Sequence, residues 1–143
     1  MKFRFILDKE HEEEVLVYAH KKTSLVDDIE KIVEANNTEI NGFKDGEIIK
    51  IIPYDVSCFV SENNKVFALV DDERYQIKER IYQLEEILND TFIKINQSCV
   101  ANIKKIKKFS STIGGAVLVT FDNDYNDYIA RRELKKVKAR IGI

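Results

Sequence analysis

A chain of 143 residues, 44% hydrophobic and 34% charged, can form one domain, or one domain with a small appendage, and its composition is globular rather than disordered. Its formal net charge of −2 conceals an asymmetry. Residues 1–91 carry 12 basic against 21 acidic side chains (−9), and residues 92–143 carry 11 against 4 (+7). The asymmetry predicts an anionic partner, most simply nucleic acid, for the basic third, and protein partners or a solubilising role for the acidic remainder.

Features of secreted and membrane proteins are missing from the sequence. Residues 1–8 lack the length and the small-residue cleavage site of a signal peptide. No apolar run approaches the roughly 18–20 residues that a membrane helix requires. Cys58 and Cys99 lie in apolar surroundings, which favours buried free thiols in a reducing cytosol. We therefore expect a soluble, cytoplasmic protein.

The first 46 residues predict a small β-β-α unit. Residues 2–7 and 14–19 have the composition of strands, and an acidic connection separates them. A helix is predicted over residues 24–37, because its apolar residues recur at helical spacing and two asparagines end it. Residues 38–46, which contain two glycines, are predicted to be a connector. We expect the unit, residues 1–46, to serve dimerisation or contact with a partner.

From Glu47 onward the pattern is mainly that of strands separated by turn residues every eight to twelve positions. Two short helices interrupt it, over residues 77–88 and 133–141, the second with a basic outer face. The predicted fold class is therefore mainly β, α+β overall, with antiparallel strands and short helices. The predicted strands are residues 48–52, 55–60, 65–70, 74–77, 92–95, 100–109, 116–121 and 125–129.

Basic side chains concentrate in two stretches of the C-terminal third. Four lysines lie within residues 104–108, and a second basic run covers residues 131–140. Lysines this close repel one another, and an anion opposite them would relieve that repulsion. The alternative for the first stretch is an edge strand whose lysines prevent aggregation.

The patterns of known enzymes are missing from the sequence. His11 and His20 have no cysteine or carboxylate cluster at ligand spacing, so both are expected to be surface residues. No glycine-rich phosphate loop, nucleophile elbow or metal-protease helix is present. Asp8 follows a predicted strand, as a phosphoacceptor would, but about 46 residues are too few for a receiver domain. We predict no enzyme activity, cofactor, metal or small-molecule substrate.

Two motifs carry a resemblance to a known family. Residues 92–106 read Phe-x-Lys-x-x-x-Ser-x-x-x-Asn-x-x-x-Ile, and residues 130–138 read Ala-Arg-Arg-x-Leu-Lys-x-Val-Lys. At this separation they resemble the LytTR family of bacterial DNA-binding domains, over about residues 47–141. The short front end resembles the stand-alone members of that family rather than the response regulators that carry a receiver domain. Such members are often encoded beside a small membrane protein, which the resemblance makes a candidate partner.

The resemblance implies an elongated antiparallel β fold over residues 47–143 that reads DNA with loops instead of a recognition helix. Three loop regions would reach two successive major grooves and the minor groove between them. Carried over, they are the turn with Asn64 and Lys65, a loop centred on Asn102, and a loop centred on Arg132. Arginine can bond guanine through two hydrogen bonds, and asparagine can bond adenine in the same way. Phosphate contacts would come from Lys94, Lys104, Lys105, Arg131 and Lys135.

Several positions depart from the family pattern or have simpler explanations. Asn96 stands where many members have histidine or another polar residue, Ala130 replaces a common serine, and the first loop has no histidine. The simpler role for Asn102 is to cap a turn between two strands. Arg131 and Arg132 would otherwise be the solvated start of a helix, where cations oppose the helix dipole.

The resulting hypothesis is a sequence-specific bacterial transcription regulator. It would bind promoter DNA as a homodimer, or as two copies on repeated half-sites, and bend it. The alternative is a non-catalytic interaction module whose acidic N-terminal unit binds a membrane-anchored partner. An RNA-binding β protein is a weaker alternative, because the aromatic residues alternate with aliphatic ones and form no stacking platform.

Overall fold

The structure is a computed structural model that describes residues 1–142. Within them lie three α-helices, ten strands and two short 3-10 turns, Pro53–Asp55 and Ile103–Lys105. The helices are α1 (Ser24–Asn37), α2 (Ile81–Ile87) and α3 (Arg131–Ile141). The strands are β1 (Ile40–Lys44), β2 (Glu47–Ile51), β3 (Cys58–Glu62), β4 (Lys65–Val70), β5 (Glu73–Ile77), β6 (Phe92–Asn96), β7 (Cys99–Asn102), β8 (Ile106–Ser111), β9 (Val117–Phe121) and β10 (Asn126–Ile129).

All strand pairs in the described residues are antiparallel, and they form two sheets. The larger sheet has the order β2-β1-β5-β4-β3-β7-β6, and the smaller has the order β10-β9-β8. The predicted fold class, mainly β with short helices, is therefore confirmed.

The larger sheet is covered on both faces, which explains the nearly continuous apolar runs in its central strands. In β3, Cys58 and Val60 pack on one side and Phe59 on the other, as the two-residue period of a strand requires. The first side meets the smaller sheet and α3, through Phe121 and Val137 among others. The second side meets α2, through Leu84 and its neighbours.

The predicted strands at residues 2–7 and 14–19 are not strands in the structure. Both segments are exposed along their whole length, and among the described residues neither pairs with a strand. A two-stranded ribbon with no third strand or helix to cover its apolar face is marginal in water, which accounts for the difference. The predicted helix over residues 24–37 is confirmed as α1, with the Thr23 side chain accepting a hydrogen bond from the Val26 amide.

The predicted connector, residues 38–46, is instead largely strand β1, which pairs with β2 through a turn at Asp45–Gly46. Both turn residues have positive φ, 52° and 78°, the combination that a two-residue hairpin turn requires. Gly42 allows close packing within β1, since a Cβ there would lie 2.8 Å from the Tyr75 Cβ.

The boundary predicted between residues 46 and 47 falls inside this hairpin, and β1 also pairs with β5. Strands on both sides of the predicted boundary thus share one sheet, and the division of the chain into two units stays a prediction. Ile143, the last residue of the predicted second unit, lies outside the described residues.

One further prediction is wrong. Residues 100–109 do not form a single strand, because β7 ends at Asn102 and β8 begins at Ile106 in the other sheet. The 3-10 turn between them carries the chain from one sheet to the other, and it contains two of the predicted DNA-contacting lysines.

Candidate nucleic-acid interface

Asn102 is fully buried, and its side chain is occupied by the protein itself. The Asn102 Nδ2 donates to the carbonyl oxygens of Tyr54 (3.0 Å) and Val56 (2.9 Å). Its Oδ1 accepts from the Lys104 amide at 3.0 Å and so caps the 3-10 turn. Both amide donors are used, so none is free for a base edge. The predicted base-reading role does not fit this geometry, and the simpler role, capping a turn, does.

The turn that Asn102 caps presents Lys104 and Lys105, and both are paired with carboxylates. The Lys104 Nζ lies 3.2 Å from the Asp28 Oδ1 of α1, and both side chains are nearly half exposed. The Lys105 Nζ lies 3.6 Å from an Asp122 oxygen and 6.0 Å from the centre of the Tyr54 ring. Ion pairs this exposed contribute about 0–1 kcal/mol, so a phosphate can replace the carboxylate at little cost.

A second basic group lies around the β3–β4 turn. Asn63 and Asn64 have φ values of 50° and 63°, which gives the turn its tight left-handed shape. Asn64 and Lys65 are both exposed. The Arg80 Nη1 donates to the Asn64 carbonyl at 2.7 Å, so Arg80 lies beside Asn64 and Lys65 at this turn. Sequence reasoning missed Arg80, because a single arginine before a helix carries no pattern until folding brings it to the turn.

Helix α3 begins with the two predicted arginines. Arg131, Arg132 and Lys135 are exposed, and none forms a salt bridge within residues 1–142. The residue before them, Ala130, supplies no side-chain cap to the helix, although its amide donates to the Ile95 carbonyl at 2.8 Å. Two cations at the positive end of an uncapped helix are electrostatically unfavourable, and a bound phosphate would offset that cost.

Lys94 has a different setting from the other predicted phosphate contacts. It is partly buried on β6 and faces a cleft between α2 and α3, where Lys136 and Arg140 also lie. Glu85 and Asp90 line the same cleft. Its side chain is therefore grouped with these residues and not with the basic loops.

The register of β3 and β7 shows which predicted loops come together. At one end of the strand pair, the backbone N–H of Asn102 donates to the Ser57 carbonyl. At the other end, the backbone N–H of Ser61 donates to the Ser98 carbonyl. Four residues of strand separate them, about 13 Å. The β3–β4 turn and the start of α3 lie at the Ser98 end, which we call the arginine end (Asn64, Lys65, Arg80, Arg131, Arg132).

The opposite end, which we call the lysine end, consists of Lys104 and Lys105. The first and third predicted loops are thus at one end of the sheet and the second is at the other. A separation of at least 13 Å along the strands is comparable to the roughly 12 Å width of a major groove.

The buried thiols were predicted correctly. Cys58 and Cys99 are both free and fully buried on neighbouring strands. A side-chain hydrogen bond with Cys58, followed by burial, raises the pKa of the Cys99 thiol well above its usual value. Both therefore belong to the core and not to the interface.

The fold and motifs agree with comparisons to known proteins. The family model described as the LytTr DNA-binding domain matches residues 46–142. An uncharacterized HTH-type transcriptional regulator of Staphylococcus aureus strain MSSA476 is 31% identical over 144 residues, covering 97% of this chain and 96% of the relative. A relative with the same description from strain COL is 30% identical over the same shares of each chain.

A solved structure shows the same fold. The LytTr DNA-binding domain of a Bacillus cereus protein superposes with a TM-score of 0.68 at 16% identity, over 75% of this chain and all of that domain. The staphylococcal names refer to a helix-turn-helix, but in residues 1–142 every α-helix is separated from the next by strands. The fold and the family model together, and not a helical motif, identify the domain: the chain belongs to the LytTR family of DNA-binding domains.

Proposed function

We propose that this protein is a sequence-specific transcription regulator that binds promoter DNA through the loops at the two ends of its larger sheet. The proposal depends on the set Arg131, Arg132 and Lys135, which is exposed and without a salt bridge in residues 1–142, on a LytTR-family domain. The staphylococcal relatives, which align along nearly the whole chain, are named transcriptional regulators and support the same role. Among the described residues, no helix is long and apolar enough to cross a membrane. The proposed location is the cytoplasm, where promoter DNA is accessible.

The proposed base-reading residues are Arg132 and Asn64, because both are exposed at the arginine end. Arg132 can bond guanine through two hydrogen bonds, and Asn64 can bond adenine in the same way. Each such contact contributes about 1–3 kcal/mol of discrimination. Asn102 is assigned a positioning role instead, because its side-chain Oδ1 accepts from the backbone N–H of Lys104 and so fixes the turn that presents Lys104.

The remaining basic residues are proposed to bind phosphates and set the position of the protein on the duplex. They are Lys65, Lys104, Lys105, Arg131 and Lys135, with Lys94 contributing from the neighbouring cleft. Their contribution is independent of sequence and falls with rising salt, because each contact releases a condensed counterion. Two copies on repeated half-sites would double the number of these contacts.

The test is a selection from random duplexes, followed by anisotropy titrations of the selected and a scrambled duplex at two salt concentrations. Arg132→Ala should reduce discrimination between the two duplexes by about 1–3 kcal/mol. Lys104→Ala and Lys105→Ala should weaken binding to both duplexes alike. The matched control is Lys50→Ala, since Lys50 is exposed on β2 at the opposite edge of the sheet.

Three results would contradict the proposal. The first is no enrichment of any sequence, and the second is no binding at low salt. The third is a Lys50→Ala variant that loses as much affinity as Lys104→Ala, because binding would then reflect general charge and not the assigned loops.

A further inference from the structure

The first nineteen residues expose more apolar surface than a solitary chain of this size usually carries. We call residues 2–7 and 14–19 the N-terminal arms. Phe3 is 93% exposed and Tyr18 is 92% exposed. Seven more apolar side chains in or beside the arms are at least 36% exposed: Met1, Phe5, Ile6, Leu7, Val15, Leu16 and Val17.

The size of this patch matches half of a stable interface. At roughly 150–200 Å² for a fully exposed side chain of this kind, the nine side chains present on the order of 1,000 Å². The largest apolar patch on a typical monomer is about 300–600 Å². A standard protein interface buries about 800 Å² on each partner.

The backbone of the arms is also available for pairing. Across the described residues, no backbone hydrogen bond joins either arm to the other or to a strand. Their sequences nevertheless have strand composition, because they are rich in aromatic and β-branched residues such as Phe3, Phe5 and Val15. A strand-like sequence with an unused hydrogen-bonding edge is suited to pairing with a strand of another chain.

The charges along this region make it complementary to itself. The connection between the arms, residues 8–14, holds five carboxylates and one lysine, a charge of −4 with His11 neutral. Lys2, Arg4 and Lys21 lie at the far ends of the arms, and none forms a salt bridge within residues 1–142. Two copies placed antiparallel would set the acidic connection of each against the basic ends of the other.

We propose that the N-terminal arms dimerise the protein by pairing, antiparallel and two-fold symmetric, with the arms of a second copy. The inference rests on the two-copy part of the proposed function and assigns the surface that joins the copies. A two-fold interface uses the same patch on both subunits and must therefore be complementary to itself. The arms meet that requirement in apolar area, in backbone edge and in charge.

The first experiment measures the mass of the full chain by sedimentation equilibrium over a micromolar concentration series without DNA. The wild-type chain should approach twice its 16.7 kDa mass. Phe3→Ser with Phe5→Ser should give a monomer that keeps its fold, since both side chains are exposed. The matched control is Ile113→Ser, because Ile113 is fully exposed in the β8–β9 turn, outside the arms.

The second experiment reverses charge at the two ends of the arms. Glu10→Lys, Glu12→Lys and Glu13→Lys together change the charge of the connection from −4 to +2. Lys2→Glu, Arg4→Glu and Lys21→Glu together change the charge of the basic ends from +3 to −3. Each set places like charges together and should weaken dimerisation about tenfold at low salt. Mixing the two variants should restore a heterodimer to near wild-type affinity, because each acidic surface then meets a basic one. A partner of any other kind would give no such rescue.

The outcomes separate this inference from DNA binding. A wild-type monomer throughout the series would overturn it and leave the arms to a different protein. A dimer that survives both the serine and charge variants would also overturn it, because the interface would lie elsewhere. A dimer disrupted and rescued as described would support it even if no duplex were bound. Arm variants that become monomers should still bind a duplex with one half-site as tightly as the wild type.

Discussion

Replacing Asn102 with alanine distinguishes a positioning residue from a base reader. The substitution removes three hydrogen bonds in a site with no exposed surface. The carbonyls of Tyr54 and Val56 and the amide of Lys104 then lose their partners. A buried group without a partner costs about 1–3 kcal/mol, and water entering the vacated space satisfies one or more of the three. We expect a loss of about 3 kcal/mol in the free energy of unfolding.

Urea denaturation followed by circular dichroism measures this loss. The midpoint should fall while the denaturant slope stays constant, and the melting temperature should fall by roughly 10 °C. Asn41→Ala is the matched control, since Asn41 is exposed on β1, and it should change stability by less than about 0.5 kcal/mol. An Asn102→Ala variant as stable as the wild type, but with relaxed base preference on DNA, would refute the positioning role.

Three further predictions follow from single contacts. Asp28→Asn should strengthen binding to any duplex about twofold in anisotropy titrations. The reason is that a phosphate then binds Lys104 without first displacing the Asp28 carboxylate. Unchanged or weaker binding would contradict this. Gly42→Val should lower the urea midpoint strongly, because its Cβ has no room in β1; a wild-type midpoint would show that the strand can move aside. Cys58 and Cys99 should react with a thiol reagent only at the rate of unfolding, and rapid labelling in native buffer would disprove this.

The Cys99 thiol also predicts that stability depends on pH. The hydrogen bond with Cys58 and burial raise the pKa of Cys99 in the folded state. An unfolded thiol ionises near pH 8.5, whereas the folded one keeps its proton. The free energy of unfolding should therefore fall as pH rises above about 8.5. The decrease should be smaller in a Cys99→Ala variant, and an equal decrease would assign the effect to other groups.

Much of the strand pattern could be predicted from sequence, because the central strands are buried on both faces. In β3, β6 and β7 nine of the fourteen side chains are apolar, and turn residues mark where each strand ends. Helix α3 was predictable for a related reason: Leu134, Val137 and Ile141 recur at helical spacing on the side that meets the core. Local pattern and tertiary packing agree at these positions.

The break after β7 could not be predicted, because it depends on atoms distant in sequence. Residues 100–109 continue in strand-like composition, and only the carbonyls of Tyr54 and Val56 explain why Asn102 turns inward. The β1 strand was missed for a similar reason. A glycine in such a segment usually indicates a loop, but Gly42 allows strand β5 to lie close to β1 at Tyr75.

The candidate site divides in the same way. The exposure of Arg132 could be predicted from its place opposite the apolar side of α3, and Arg131 flanks that side at the start of the helix. The surroundings of the lysines could not be predicted, since Asp28 lies 76 residues before Lys104, and Asp122 lies in the turn after β9 of the smaller sheet. Folding therefore determines which basic residues are already neutralised.

The difference between the two ends of the sheet has a consequence for DNA binding. The arginine end has no carboxylate partner for Arg131 or Arg132 in residues 1–142, so a phosphate there neutralises charge that is otherwise balanced only by counterions. At the lysine end a phosphate must replace Asp28 or Asp122. The arginine end should therefore carry more of the salt-dependent affinity. The Ser57–Asp122 hydrogen bond, at 2.7 Å, keeps one of those competing carboxylates attached to the larger sheet. Under the proposed function, the lysine end would thus contribute mainly to register on the duplex.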